Sequence, residues 1–113
     1  MSNIKVMTNE KKLLWVSEAK SLTENRIEKD PSRLNLYKVI FNQLEYVEKC
    51  IAGEVKTKSK LQDVNLGQLA VVEFEGRDDI YSNKLKDVYF IVHYMKKGLK
   101  VPELDNDGNV ALN

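Results

Sequence analysis

The fold is decided by the stretch Leu66-Gly67-Gln68-Leu69-Ala70-Val71-Val72-Glu73-Phe74-Glu75-Gly76 and by the run from Asp78 to Lys97 that follows it. Apolar residues recur in the second run at helical spacing: Tyr81, Leu85, Val88, Tyr89, Val92, Met95 and Leu99. This period predicts a long helix that is capped by Asp78 or Asp79 and ended by Gly98. The β-branched pairs Val71-Val72 and Ile91-Val92 could suggest strands, but no Asn-Gly or Asp-Gly turn lies between two alternating runs, as a hairpin would require. The first run therefore predicts a short helix, capped by Asp63 and extending through Glu75.

Two more helices are predicted upstream of this stretch. The first begins after the N-cap Thr8 and extends to about Lys29, where Asp30-Pro31 interrupts the helical spacing. The second extends from Pro31 or Ser32 to Ala52, followed by Gly53 as its C-terminal cap. Residues 54–62 are lysine-rich and predict an exposed connection. The fold class is therefore all-α: a small antiparallel bundle of about four helices with a flexible C-terminal tail.

Length and composition bound the organisation of the chain. Its 113 residues predict a single domain over 1–113, with an irregular lead at 1–7 and an irregular tail at 102–113. With 42% hydrophobic and 31% charged residues, the composition is that of a folded globule. The apolar runs are too short to span a bilayer, and the first residues do not resemble a secretory signal. We therefore expect a cytoplasmic protein without a membrane partner.

The charge balance argues against direct binding of nucleic acid. The formal net charge is only +1, whereas phosphate neutralisation requires a basic surface. Residues 1–60 carry twelve Lys and Arg against eight Asp and Glu, a net of +4, and residues 61–113 carry six against nine, a net of −3. The second half is therefore the better candidate for a surface that meets a basic partner.

The sequence offers no convincing catalytic, cofactor or metal site. Cys50 is the only cysteine and His93 the only histidine, so neither a disulfide nor a Cys/His metal cluster can form. Glu73 and Glu75 are two residues apart, about 200° around a helix, and so point to nearly opposite sides. Asp78 and Asp79 are explained as helix caps. The cluster is better suited to meet a basic partner than to perform catalysis, although a solvated face with caps is the simpler alternative.

The second half also resembles a known family. The shared features are Leu66-Gly67, Ala70 to Glu75, Asp78, Leu85, Val88, Tyr89 and Met95 to Val101, together with Gln43-Leu44-Glu45-Tyr46 in the second helix. With these residues the chain resembles the small helical immunity proteins that protect bacteria from a type VI secretion effector that hydrolyses NAD(P). The lead, the connection at Lys56–Lys60 and the tail after Pro102 depart from the family pattern.

The resemblance implies an antitoxin without enzymatic activity or cofactor. Such a protein binds the C-terminal domain of a cognate toxin and blocks its active site. The toxin-binding residues that we predict are Glu73, Glu75, Asp78, Asp79 and Tyr81. Three alternatives stay open: contact through the more basic first half, immunity to a contact-dependent-inhibition ribonuclease toxin, and a helical adaptor that self-assembles. A homodimer of the free protein is compatible with each of them.

Overall fold

The computed structural model describes residues 3–113, and the regular structure in that range is helical. The four helices are α1 (Asn9–Lys29), α2 (Leu34–Ile51), α3 (Leu66–Leu69) and α4 (Asp79–Lys96). The 3₁₀ turns Pro31–Arg33 and Ser59–Asp63 precede α2 and α3, and α3 continues as a π-helical turn, Ala70–Phe74. The prediction of an all-α bundle of about four helices is confirmed.

The helix starts follow the predicted capping residues in two cases out of four. The Thr8 hydroxyl accepts a hydrogen bond from the Lys11 amide at 3.1 Å and caps α1. Asp78 caps α4 in the same way, accepting from the Tyr81 amide at 3.3 Å. Asp30 makes no such side-chain bond to the chain that follows it, which first forms a 3₁₀ turn, so α2 begins two or three residues later than predicted.

The third helix differs from the prediction of one α-helix capped by Asp63. It begins only at Leu66, after Asn65, and widens at Ala70 into a π-helical turn. The Ala70 carbonyl accepts the Glu75 amide at 2.9 Å and also the Ser82 hydroxyl at 2.9 Å. A side chain that inserts at a backbone carbonyl widens a helix locally. This contact between distant residues is why the local sequence pattern could not predict the π-helical turn.

One core joins the helices. Its buried side chains come from all four helices and include Val16, Ala19, Ile40, Leu44, Val47, Leu66, Leu85, Val88 and Ile91. Gly67 allows α3 to approach α4 closely, because a Cβ at this position would lie 2.9 Å from Cδ2 of the Tyr89 ring. The lone glycine of the third helix is thus explained by close packing. Helices α1 and α4 lie antiparallel. Two ion pairs connect them, Arg26–Asp78 and Glu18–Lys84.

The described part of the lead and the tail are bound to each other. Lys5 donates its amide to the Ala111 carbonyl at 3.0 Å and accepts the Glu103 amide at 2.8 Å. Two isolated antiparallel bridges, Ile4–Leu112 and Val6–Pro102, join the lead to the tail, and a third, Leu104–Val110, lies within the tail. The buried Glu103 side chain pairs with Lys11 of α1. The tail that the sequence analysis predicted to be flexible is therefore held by backbone hydrogen bonds, through contacts too distant in sequence to be read locally.

Candidate functional site

The predicted binding residues surround the turn between the π-helical segment and α4, which we call the acidic turn (residues 73–79). Three buried aromatic rings pack together beneath its surface, on the side that faces the core. Phe74 lies edge-on to Tyr81, with ring centroids 4.7 Å apart, and stacks on Tyr37 at 5.9 Å. All three rings are buried. Because aromatic pairs have preferred geometries, this cluster fixes the position of the turn on the bundle.

Arg26 of α1 holds the α4 end of the turn. Its guanidinium donates Nε to one oxygen of Asp78 at 2.6 Å and Nη2 to the other at 3.1 Å. A two-point arginine–carboxylate pair is directional as well as strong. The hydrogen bond from Arg26 lowers the pKa of Asp78 below its usual value, against the opposing effect of burial. Asp78 therefore acts both as a helix cap and as the acceptor of an interhelical bridge.

Arg33 holds the other end of the turn. Its guanidinium pairs with the Glu73 carboxylate, and its Cζ lies 5.1 Å from the centroid of the Phe74 ring. The 3₁₀ turn before α2 places this arginine beside the π-helical segment. Arg33 therefore covers the apolar ring and neutralises the neighbouring carboxylate at once.

The two remaining carboxylates of the turn face solvent. Glu75 accepts the Lys86 ammonium at 2.6 Å, and both side chains are substantially exposed. Asp79 accepts the amide of Gly76 at 2.7 Å. Gly76 has φ +81°, a left-handed conformation that a residue with a Cβ adopts only at a cost, so glycine suits this bend. Glu75 and Asp79 are the acidic side chains of the turn that a partner can reach most directly.

The acidic turn is electrically balanced. Its four carboxylates are offset by Arg26, Arg33 and Lys86, which pair with three of them, and by the exposed Arg77 within the turn. A sequence count of acidic residues could not reveal this, because two of the balancing arginines come from other elements. The site therefore carries little net field at long range, and what distinguishes it is a fixed shape.

Tyr81 does not lie on the surface. Its side chain has no exposed area, and its hydroxyl donates to Thr23 Oγ1 at 2.7 Å, since the Thr23 hydroxyl itself donates to the Ala19 carbonyl. Burial raises the pKa of the Tyr81 hydroxyl far above its usual value. The expectation that Tyr81 touches a partner is thereby corrected: as an aromatic residue at helical spacing, it belongs to the core.

Two further features bear on function. Among residues 3–113, no group of three or more His, Cys, Asp and Glu side chains is arranged to hold a metal ion, and the free thiol of Cys50 is buried. No helix in the described part of the chain has the length and hydropathy that a bilayer crossing needs.

Comparison with known proteins gives consistent results. The family model Tsi6 matches residues 12–94. The Immune protein Tsi6 of Pseudomonas aeruginosa is 30% identical over 90 residues, which cover 77% of this chain and 92% of that protein. A chain in the structure of Tse6 in complex with Tsi6 superposes with a TM-score of 0.75 at 28% identity, covering 84% of this chain and 97% of that chain. The structure of Tsi6 from Pseudomonas aeruginosa gives a TM-score of 0.70 at 28% identity, covering 88% and 99%.

Proposed function

The chain belongs to the Tsi6 family, and we propose on this basis that it is an immunity protein, which binds the toxin domain of a cognate secreted effector and blocks its active site. The observation that carries the proposal is the similarity, over nearly its whole fold, to a chain of the Tse6–Tsi6 complex. We propose an NAD(P)-hydrolysing effector as the target. In this function the protein needs no catalytic activity and no cofactor, since it acts by occupying the cleft of another protein.

The acidic turn is the part of the surface that we propose for toxin contact, with Glu75 and Asp79 as the direct contacts. A cleft that holds an anionic nucleotide tends to be lined with cations, and carboxylates can occupy it without any chemistry of their own. The Glu75–Lys86 pair is exposed, and exposed pairs contribute about 0–1 kcal/mol. Glu75 can therefore exchange Lys86 for a cation of the toxin at little cost.

In this proposal the toxin contact depends on Glu73, Asp78 and Tyr81 only indirectly, because they hold the acidic turn in place. Their partners are Arg33, Arg26 and Thr23, and these bonds fix the turn before any partner arrives. A surface that is already ordered loses less conformational entropy on binding. The balanced charge of the turn fits this role, because tight binding then depends on shape and on short-range pairs.

The remaining parts of the proposal concern the setting. We propose that the whole chain acts as one immunity-type domain in the cytoplasm, where its free buried thiol suits reducing conditions. We propose the toxin as its partner, with no role for nucleic acid or membrane. A homodimer of the free protein, if it forms, would have to dissociate or leave the acidic turn open.

The test requires the cognate toxin domain, which we expect the gene immediately upstream to encode. Co-expression of this protein should prevent the loss of cellular NAD(P) that the toxin domain causes. The double variant Glu75→Lys, Asp79→Lys should weaken the complex by more than about 2 kcal/mol, roughly thirtyfold in Kd, in calorimetry. Both side chains are exposed, so circular dichroism should show unchanged helicity.

The matched control is Glu10→Lys, Asp107→Lys, which changes the net charge equally at two exposed positions away from the acidic turn. It should bind with nearly wild-type affinity. Equal weakening by both double variants would mean a general charge effect, and unchanged affinity in the first would place the contact elsewhere. A toxin domain that cleaves RNA and leaves NAD(P) intact would favour the ribonuclease alternative. Self-association in light scattering, with no toxin captured, would favour the adaptor.

A further inference from the structure

A cavity of about 280 Å³ opens at the end of the bundle opposite the acidic turn. It lies where α1 begins and where α2 and α4 end. Cys50, Met95 and Leu99 provide an apolar part of its lining, and Lys12, Lys58 and Lys100 line it from three separate segments of the chain. The fold therefore brings three lysines to the wall of one cavity, although the three residues are far apart in sequence.

These three lysines have no acidic partner in the part of the chain that the structure describes. Among residues 3–113, no carboxylate lies within 4.0 Å of any of the three ammonium nitrogens, whereas Lys11, Lys20, Lys84 and Lys86 all form ion pairs. In the same range, the ammonium groups of Lys58 and Lys100 make no hydrogen bond to protein. Lys12 donates one, to Asn9 Oδ1 at 3.2 Å. Most of the donor capacity at the cavity is thus unused by the protein itself.

The three lysines do not hydrogen-bond to the carbonyls of the nearby helix ends in the described residues 3–113. Cations favour the C-terminal ends of helices, where carbonyls lack partners. Here the Cys50 carbonyl accepts the Gly53 amide at 3.2 Å, and the Met95 carbonyl accepts the Gly98 amide at 3.0 Å. These two carbonyls already accept backbone hydrogen bonds, so neither depends on a lysine for a donor.

The positive charge of Lys12 is disfavoured at its position beside the cavity. Burial lowers the pKa of Lys12, and the positive charge of Lys58 lowers it further. An anion placed among the lysines would relieve both effects, because it would replace lost hydration and screen the repulsion.

We propose that this cavity binds a small phosphate-bearing anion of about the size of a diphosphate. Lysines bind phosphate as point charges, and three of them nearly balance the charge of a diphosphate at neutral pH. Ligand pockets for whole drug-sized molecules begin at about 300 Å³, so this cavity suits a diphosphate group better than an entire dinucleotide. The site is separate from the acidic turn and does not depend on the proposed immunity function.

The test is an NMR titration of the full chain in low-salt buffer, with inorganic pyrophosphate and, separately, ADP. Pyrophosphate should cause saturable shifts of backbone amides at Asn9, Gly98 and Lys100. The triple variant Lys12→Gln, Lys58→Gln, Lys100→Gln should bind at least tenfold more weakly. Because the stem of Lys12 is partly buried, the double variant at the exposed Lys58 and Lys100 provides a second measure that does not disturb packing.

Lys38→Gln is the matched control, since Lys38 is an exposed lysine of α2, about three turns from the cavity, and forms no ion pair within residues 3–113. It should leave binding unchanged. Tighter binding of ADP than of pyrophosphate, with the same dependence on the lysines, would identify a nucleotide as the source of the phosphate; equal binding would identify the diphosphate group alone. The absence of saturable shifts up to about 10 mM, or equal loss in the control, would overturn the proposal.

Discussion

The two ends of the helical bundle use the same kinds of charged residue in opposite ways. At the acidic turn, Glu73, Glu75 and Asp78 each meet a cation from another element. At the far end, three lysines line a cavity without a carboxylate within 4.0 Å in the described chain. Charges that are paired inside the protein hold its shape, whereas charges that are left unpaired are available to a ligand.

This difference changes the basis on which the acidic turn would recognise a toxin. A cluster of four unpaired carboxylates would attract a basic cleft from a distance, raising the association rate. A turn whose carboxylates are balanced by Arg26, Arg33 and Lys86 has little such field. Its contribution to binding would lie in a lower dissociation rate, which a preordered surface provides.

The largest effect should come from removing the ring on which the acidic turn rests. Phe74→Ala should lower the free energy of unfolding by about 3–4 kcal/mol, because it empties a fully packed site between Tyr37 and Tyr81. Urea denaturation followed by circular dichroism measures the loss. Val72→Ala, two residues away and 64% exposed, is the control and should change stability by less than about 0.5 kcal/mol. Similar effects of the two variants would mean that the ring does not anchor the turn.

A smaller effect, with a defined pH dependence, is expected for the bridge from α1. Because Arg26 lowers the pKa of Asp78, the ionised carboxylate stabilises the folded state above the unfolded pKa of about 3.9, and this contribution is lost as pH falls through the folded pKa. Asp78→Asn should therefore cost about 1–2 kcal/mol at pH 7 and progressively less below about pH 4 in urea denaturation.

Asp87 provides a control, because its ionised form should affect the stability of the folded state in the opposite direction. Burial raises its pKa, so its ionised form opposes folding at neutral pH. Asp87→Asn should leave stability at pH 7 unchanged or higher. If both variants lost stability equally and at every pH, the effect would come from packing and not from the charge of Asp78.

The sequence predicts the bundle well because its signals are local. Helical spacing over Tyr81 to Leu99, the caps Thr8 and Asp78, and Gly98 at the end of α4 act within a few residues of the structure they specify. The departures arise where distant residues decide. Ser82 donates to the Ala70 carbonyl in the π-helical turn, and Lys5 joins the tail at Glu103 and Ala111.

The candidate site was predictable only in part, for the same reason. The sequence located an acidic turn between two helices, but the spacing of the carboxylates could not show that Arg26 and Arg33 would reach them from α1 and the following turn. The periodic position of Tyr81 in α4 was the available signal for its burial. For the lysine cavity no local signal exists, since Lys12, Lys58 and Lys100 come together only through the fold.

The smallest effect is also the one that compares the two ends most directly. Lys58→Gln removes a positive charge that opposes the charge of Lys12, so it should raise the free energy of unfolding by about 0.3 kcal/mol in low salt. Lys86→Gln removes the partner of Glu75 and should lower it by a similar amount. Both changes should fade near 1 M salt, where the screening length is about 3 Å. The pKa of Lys12, followed by NMR, should rise in the Lys58 variant, because a neighbouring positive charge has gone. If the free energy of unfolding changed in the same direction in both variants, the two ends would not differ in the way their charges are paired.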